Sequence, residues 1–196
     1  MSYGFVLVGG LSRRMGREKA LLPVGGVPMA VLAARKLEAA CGRAALVGKD
    51  AGAFAGLGYP FVSDGTAERA ALVGLVAALE WSPDDENLVL AADVPAVAPE
   101  LLAALLARLS ASGASAVVPT EGGHPQPLCA AWARRALAAL RRAVADGAFS
   151  MRRALDAAGA LVLSEEETSR LPGYAPGAFR NVNTPEDYRA VEEESP

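Results

Sequence analysis

This 196-residue sequence predicts a three-layer α/β/α sandwich built on a mainly parallel sheet, on three observations. Short apolar runs alternate with longer Ala/Leu/Arg segments of helical period, the pattern that puts helices on both faces of a parallel sheet. The run from Asn87 to Ala92 is continuously apolar after its first residue, as a strand covered on both faces must be. A hydrophobic content of 52% over this length is enough for one sizeable core, so residues 1–196 are expected to form a single domain.

The elements follow in order. Tyr3 to Val8 reads as a first strand, and Pro28 opens a helix that runs to about Ala40 and stops at Gly42. Ala44 to Val47 and Phe61-Val62 read as strands, Leu72 to Trp81 as a helix, and Asn87 to Ala92 as the buried strand. Pro99 to about Leu109 is a helix with Leu101, Leu102, Leu105, Leu106 and Leu109 on its core face. Ala116 to Pro119 and Leu128 to Trp132 are strand-like, separated by a polar, turn-rich loop. A helix from about Arg134 to Asp146 carries four arginines read as a solvated face. Ser150 is the expected N-cap of a helix over Met151 to Ala158, Ala160 to Leu163 is a further strand, and Ser164 to Gly177 is a polar loop.

Charge and cysteine usage exclude several classes. The net charge of −3, with no basic tail or basic helix face, lacks the footprint of a nucleic-acid binder. Cys41 and Cys129 stand alone in apolar contexts without C-x-x-C spacing, which points to buried reduced thiols and a cytoplasmic setting. The first residues enter a strand at once and no run approaches ~20 apolar residues, so neither secretion nor membrane insertion is expected.

The most informative stretch is Val8-Gly9-Gly10-Leu11-Ser12-Arg13-Arg14-Met15-Gly16-Arg17-Glu18-Lys19. Glycines let main-chain N–H groups approach an anion, and four cations against Glu18 give a local charge of +3 in an acidic chain. A strand feeding such a loop is a phosphate cradle; a generic Gly/Arg surface loop is the alternative. It is neither the P-loop of NTPases, since no Gly-Lys-Ser/Thr ends it, nor a G-x-G-x-x-G turn.

Asp93 closes the apolar strand at the end where open α/β sheets bind ligands. Beside a phosphate loop it reads as a Mg²⁺ ligand, and otherwise as the cap of a turn. Near the C-terminus, Thr184-Pro185-Glu186-Asp187 has the form of a capping-box helix start. Asn181 and Asn183 before it are expected on one face of a short strand, placed to hold metal or substrate phosphate.

The first stretch resembles the L-A-G-G-x-S-x-R-M-G-x-x-K signature of molybdenum cofactor guanylyltransferases of MobA type, through Leu7, Gly9, Gly10, Ser12, Arg14, Met15, Gly16 and Lys19, with Val8 in place of Ala. Asp93-Val94-Pro95 resembles that family's Asp-x-Pro, and residues 181–187 its N-x-N-T-P-E-D ending, so the likeness spans residues 4 to about 190. It implies a Rossmann-like, mostly parallel sheet of the GT-A-like nucleotide-diphospho-sugar transferase fold. The implied reaction is transfer of GMP from GTP to molybdopterin, with pyrophosphate leaving. Other proteins of molybdenum cofactor synthesis are the implied partners.

By the same resemblance Lys19, Arg14 and Asp93 are catalytic, and Asp93 holds Mg²⁺. The implied nucleotide site comprises Leu7, Gly9, Gly10, Leu11, Ser12, Gly16, Lys19, Lys49, Asp64 and Asp93. The acceptor site comprises His124, Arg152, Arg153, Asn181 and Asn183. Ordinary exposed arginines are the alternative for Arg152 and Arg153, and an inert loop residue for His124. Two departures stand out: Lys49 occurs where GTP-using members often carry Asn, and Ala70 and Ala71 replace the Gly-Pro of a Gly-Pro-Leu-Ala-Gly stretch that keeps Leu72 and Gly74. The alternatives are a sister nucleotidyltransferase, making the cytosine dinucleotide or acting on another small phosphate, and a non-catalytic nucleotide-binding regulator. Gly9 favours GTP, since cytidine-using relatives more often read Ala-Ala-Gly there, and Asp93 with both asparagines argues against a pure binder.

Overall fold

The computed structural model describes residues 2–9, 18–65 and 70–194. Its strands are β1 (Tyr3–Leu7), β2 (Pro23–Val24), β3 (Val27–Pro28), β4 (Ala44–Gly48), β5 (Phe61–Ser63), β6 (Glu86–Ala91), β7 (Ala116–Val118), β8 (Thr120–Glu121), β9 (His124–Pro125), β10 (Cys129–Ala133) and β11 (Leu161–Val162). Its helices are α1 (Met29–Cys41), α2 (Ala51–Phe54), α3 (Ala71–Trp81), α4 (Pro99–Ser112), α5 (Leu137–Ala145), α6 (Met151–Ala158), α7 (Glu165–Ser169) and α8 (Pro185–Glu194).

Seven strands form one sheet in the order β11-β7-β10-β6-β1-β4-β5. All neighbouring pairs are parallel except those made by β10, which runs antiparallel to both β6 and β7. The carboxyl ends of β1, β4, β5 and β6 therefore lie side by side along one edge. That edge is where a doubly covered sheet offers room for a ligand.

Period-two alternation splits each buried strand between two cores. Val6, Leu46, Leu88, Leu90, Val117 and Ala131 pack with Ala33, Ala34 and Leu37 of α1 and with Leu101, Leu102, Leu105 and Leu109 of α4. Phe5, Ala45, Val47, Val89, Val118 and Trp132 pack on the other face with α3, α5 and α6. The four α4 leucines are fully buried, each worth about 2 kcal/mol by area removed from water. Gly4 lets α1 lie directly on β1, because a Cβ there would stand 2.6 Å from Leu37 Cβ.

A third, smaller core joins the two ends of the chain. Val24 and Met29 pack on Val182 and Val191, with Leu22, Leu32 and Tyr188 around them. Met29 N donates to Leu22 O at 3.0 Å, and the Tyr188 hydroxyl donates to Pro23 O. This contact brings residues 181–183 beside the segment that begins at Lys19.

Several sequence expectations need correction. Asn181 to Asn183 do not form a strand; among the described residues the segment makes one main-chain bond, Val182 N to Asp93 O at 2.9 Å, although the alternation survives, with Val182 buried and both asparagines exposed. Ser150 precedes α6, but its side chain makes no capping bond. The polar stretch from Ser164 contains α7, started by a reciprocal capping box between Ser164 and Glu167. The loop from Thr120 closes into the β8–β9 hairpin over Gly122 and Gly123, both at positive φ. The helix expected from Arg134 opens as a 3-10 turn, Arg134–Ala136, before α5. The short helix α2, capped by Asp50 through Ala53 N at 3.2 Å, has no counterpart among the sequence expectations.

Candidate active site

The first strand ends at Leu7, whose carbonyl accepts from Ala92 N at 3.1 Å, while Val8 N donates to Val47 O at 2.9 Å. These bonds tie the ends of β1, β4 and β6 together just where the glycine-rich stretch departs. Gly9 is exposed at that edge, and a Cβ built on it would stand 3.7 Å from Gly48 Cα, an ordinary contact. Gly10, Leu11, Ser12, Arg14 and Gly16 lie outside the described residues, as do Arg13, Met15 and Arg17.

Lys19 opens a 3-10 turn, Lys19–Leu21, in which Leu21 N donates to Glu18 O and Leu22 N to Lys19 O. Its ammonium reaches the edge of the sheet, where Nζ lies 2.6 Å from Asp93 Oδ2 and 2.9 Å from Asn183 Oδ1. The two partners are 74 and 164 residues away along the chain. The ion pair is largely shielded, with side-chain exposures of 16% for Lys19 and 28% for Asp93. Asp93 stands two residues past β6, in a turn where Val94 N donates to Ala91 O.

A second pair lies at the neighbouring strand ends. Lys49 follows β4 and Asp64 follows β5; Lys49 Nζ lies 3.1 Å from Asp64 Oδ1, and Asp64 N donates to Gly48 O at 3.0 Å. The Asp64 side chain is only 8% exposed, so the lysine stands as a close countercharge to a shielded carboxylate.

The residues read from sequence as an acceptor site are more scattered. Asn183 belongs to the Lys19 cluster, whereas Asn181 is exposed and not joined to it by a hydrogen bond among the described residues. His124 is exposed on β9. Its hairpin is tied to the following segment by Gly123 N to Glu165 Oε1, Thr120 N to Thr168 Oγ1, and Tyr174 and Gly177 to Glu121 Oε1. Arg152 and Arg153 are exposed on α6, which packs on α5 and α3 away from the Lys19 turn.

The junction of Asn183 with α8 explains how that asparagine is aimed. Thr184 Oγ1 accepts from Asp187 N at 3.1 Å, and Asp187 Oδ2 accepts from Asn183 N at 2.9 Å and Thr184 N at 2.8 Å. These main-chain donors, Asn183 first, hold the Asp187 carboxyl below its ordinary pKa. In the sequence Asp187 reads as part of a helix start; the structure adds that its carboxylate also grips Asn183 N. The signal was present in the reciprocal spacing of Thr184 and Asp187.

Chemically, the edge offers one ammonium, one carboxylate and one amide oxygen converging on a point, with a second cation–carboxylate pair alongside. Asp93 Oδ2 and Asn183 Oδ1 already share one cation, and such hard oxygen donors fit Mg²⁺, which prefers one or two carboxylates with phosphate and water completing its shell. A different surface depression, lined by Ser2, Asp84, Asp85, Glu86 and Arg135, lies at the amino ends of β1 and β6 and is remote from this chemistry.

Comparison with known proteins places the chain. The family described as MobA-like NTP transferase domain matches residues 4–162. A protein of Chloroflexus aggregans named probable molybdenum cofactor guanylyltransferase is 35% identical over 98% of this chain and 94% of its own. A molybdenum cofactor guanylyltransferase of Rhodobacter capsulatus is also 35% identical, over 97% of this chain and 94% of its own. The crystal structure of molybdopterin-guanine dinucleotide biosynthesis protein A from Archaeoglobus fulgidus superposes with a TM-score of 0.84 at 27% identity, covering 99% of this chain and 98% of that one. The chain belongs to the MobA-like NTP transferase family and is a nucleotidyltransferase.

Proposed function

We propose that this protein transfers GMP from GTP to molybdopterin, forming molybdopterin guanine dinucleotide and releasing pyrophosphate. The observation that carries this reading is the convergence of Lys19, Asp93 and Asn183 at the ligand-binding edge of the sheet, in a chain whose relatives from C. aggregans and R. capsulatus carry that activity in their names. A terminal phosphate oxygen of the acceptor attacks the α-phosphorus of GTP, one P–O bond forms as the α–β bridge breaks, and pyrophosphate leaves. Both reactants are anions, so the work of the protein is alignment and charge neutralisation.

Lys19 neutralises the triphosphate, together with Arg14. By their place in the sequence signature, Leu7, Gly9, Gly10, Leu11, Ser12 and Gly16 would bind the nucleotide phosphates, and Lys49 and Asp64 would serve the base side. Asp93, with Asn183 beside it, would hold Mg²⁺. The ion supplies Lewis-acid stabilisation of charge on the transferring phosphate. His124 and Asn181 serve the acceptor, whereas Arg152 and Arg153, exposed on α6 away from the Lys19 turn, are better read as ordinary surface arginines. The match over residues 4–162 and a sheet running from Tyr3 to Val162 support one nucleotidyltransferase unit for the whole chain. The free thiols of Cys41 and Cys129 support a cytosolic setting, and among the described residues no helix is long and apolar enough to cross a membrane.

The test is incubation with molybdopterin, Mg²⁺ and GTP, CTP, ATP or UTP in turn, following pyrophosphate release and the dinucleotide by mass. Turnover with GTP alone is expected. A preference for CTP would assign the chain to the cytosine dinucleotide, and binding without turnover would make it a regulator.

A further inference from the structure

The turn that carries Asp93 is held from three sides. Ala92 N donates to Leu7 O on β1, and Val182 N donates to Asp93 O from the C-terminal segment. The third hold comes from α1, where Lys36 Nζ donates to Pro95 O across 59 residues of sequence.

Lys36 is an unusual resident of that position. It is half-buried on a helix whose neighbours Ala33, Ala34 and Leu37 belong to the core, and burial lowers its ammonium below the ordinary lysine pKa. A lysine at a helix surface ordinarily snorkels to water or meets a carboxylate. Among the described residues Lys36 has no ion-pair partner, and its hydrogen bond goes to a main-chain carbonyl. Partial desolvation of a cation costs free energy that a single carbonyl returns only in part. What the contact does achieve is mechanical: α1 is packed on β1, β4, β6 and α4, so it is a rigid post for the Asp93-Val94-Pro95 turn.

We propose that Lys36 is a positioning residue for nucleotidyl transfer, its bond to Pro95 O setting the Asp93 turn so that the carboxylate faces Lys19 and Asn183. A charged donor suits this task because its bonds to oxygen are stronger than those of a neutral one. The inference rests on Asp93 being the carboxylate that serves the triphosphate and its Mg²⁺.

The experiment compares wild type, Lys36→Met, Lys36→Arg and Asp93→Asn in steady-state GMP transfer and in Mn²⁺ binding, read by electron paramagnetic resonance with the non-cleavable α,β-methylene analogue of GTP. For Lys36→Met, kcat falls about 10-fold and Mn²⁺ affinity in the analogue complex weakens by a similar factor, while the KM for GTP changes little. Lys36→Arg, which keeps a charged donor, recovers most of both. If Lys36→Met matches wild type in kcat and Mn²⁺ affinity while Asp93→Asn is inactive, the role of Lys36 is overturned. If Asp93→Asn is also unaffected, the reading of Asp93 falls first and takes the role of Lys36 with it. Should Lys36→Met be recovered only as aggregate, Lys36→Gln, polar but too short to reach Pro95, carries the same two expectations.

Discussion

Lys19 Nζ lies 2.6 Å from Asp93 Oδ2, so the carboxylate best placed to hold a divalent ion is already satisfied by the protein's own cation. A metal binding at that oxygen competes with the ammonium, and a triphosphate would draw the ammonium away. Mn²⁺ is therefore expected to bind weakly to the nucleotide-free protein and tightly when a GTP analogue is present. Lys19→Met should bind Mn²⁺ without nucleotide more tightly than wild type, measured by electron paramagnetic resonance. Equal affinity in the two proteins would remove the exchange from the account.

In catalysis the same substitution has the opposite effect. Lys19→Met is expected to lower kcat by about 100-fold, since a cation facing the transferring phosphate acts mainly as charge develops. GTP affinity should fall much less, which equilibrium titration beside steady-state rates will separate.

Lys49 and Asp64 form the second pair, with the Asp64 side chain largely shielded from solvent. Lys49→Ala is expected to raise the KM for GTP about 10-fold with a smaller change in kcat, the mark of a contact used equally in ground and transition states. Lys49→Asn, the residue often found there in GTP-using relatives, should retain most activity. Loss of activity with Asn but not with Ala would contradict a base-side role.

The carboxyl of Asp187 titrates below its ordinary value because Asn183 N, Thr184 N and Thr184 Oγ1 engage its charged form. A depressed acidic pKa means the stabilisation is fully present above the unfolded-state pKa and is lost as pH falls through the folded one. Thermal unfolding of wild type and Asp187→Asn should differ at neutral pH, with wild type the more stable. The gap should close as pH drops below about 4, where the unfolded carboxyl takes up its proton.

Burial pushes the Cys129 thiol up to about 12 and also raises that of half-buried Cys41. Iodoacetamide at pH 8 should therefore label the native protein slowly at Cys41 and leave Cys129 untouched until denaturant is added. Rapid labelling of Cys129 in the native state would show that β10 opens more readily than its packing implies.

The parts of this architecture that announced themselves were those with local causes. Asp93 was readable because an apolar strand that ends in a carboxylate leaves it at the sheet edge, and Lys19 because the loop before it concentrates cations. Strand order was not readable, since β10 sits between β6 and β7 through contacts distant in sequence. The helix α7 escaped because Ser164 and Glu167 start it by side-chain capping within a stretch that has no apolar period. Asn181 and Asn183 keep the alternation of a strand, but among the described residues Val182 N pairs with the Asp93 carbonyl alone, so no ladder forms. The role of Lys36 has no signal in the sequence, because only the fold brings Pro95 within its reach.

The most direct test of the transfer site is the rate of pyrophosphate release from GTP, with molybdopterin and Mg²⁺ saturating, by wild type and by Asp93→Asn of equal thermal stability. The account predicts that removing this one charge lowers kcat by at least about 100-fold, because transition-state charge loses its counterion. A kcat within a factor of two of wild type would contradict it and move the chemistry away from Lys19, Asp93 and Asn183.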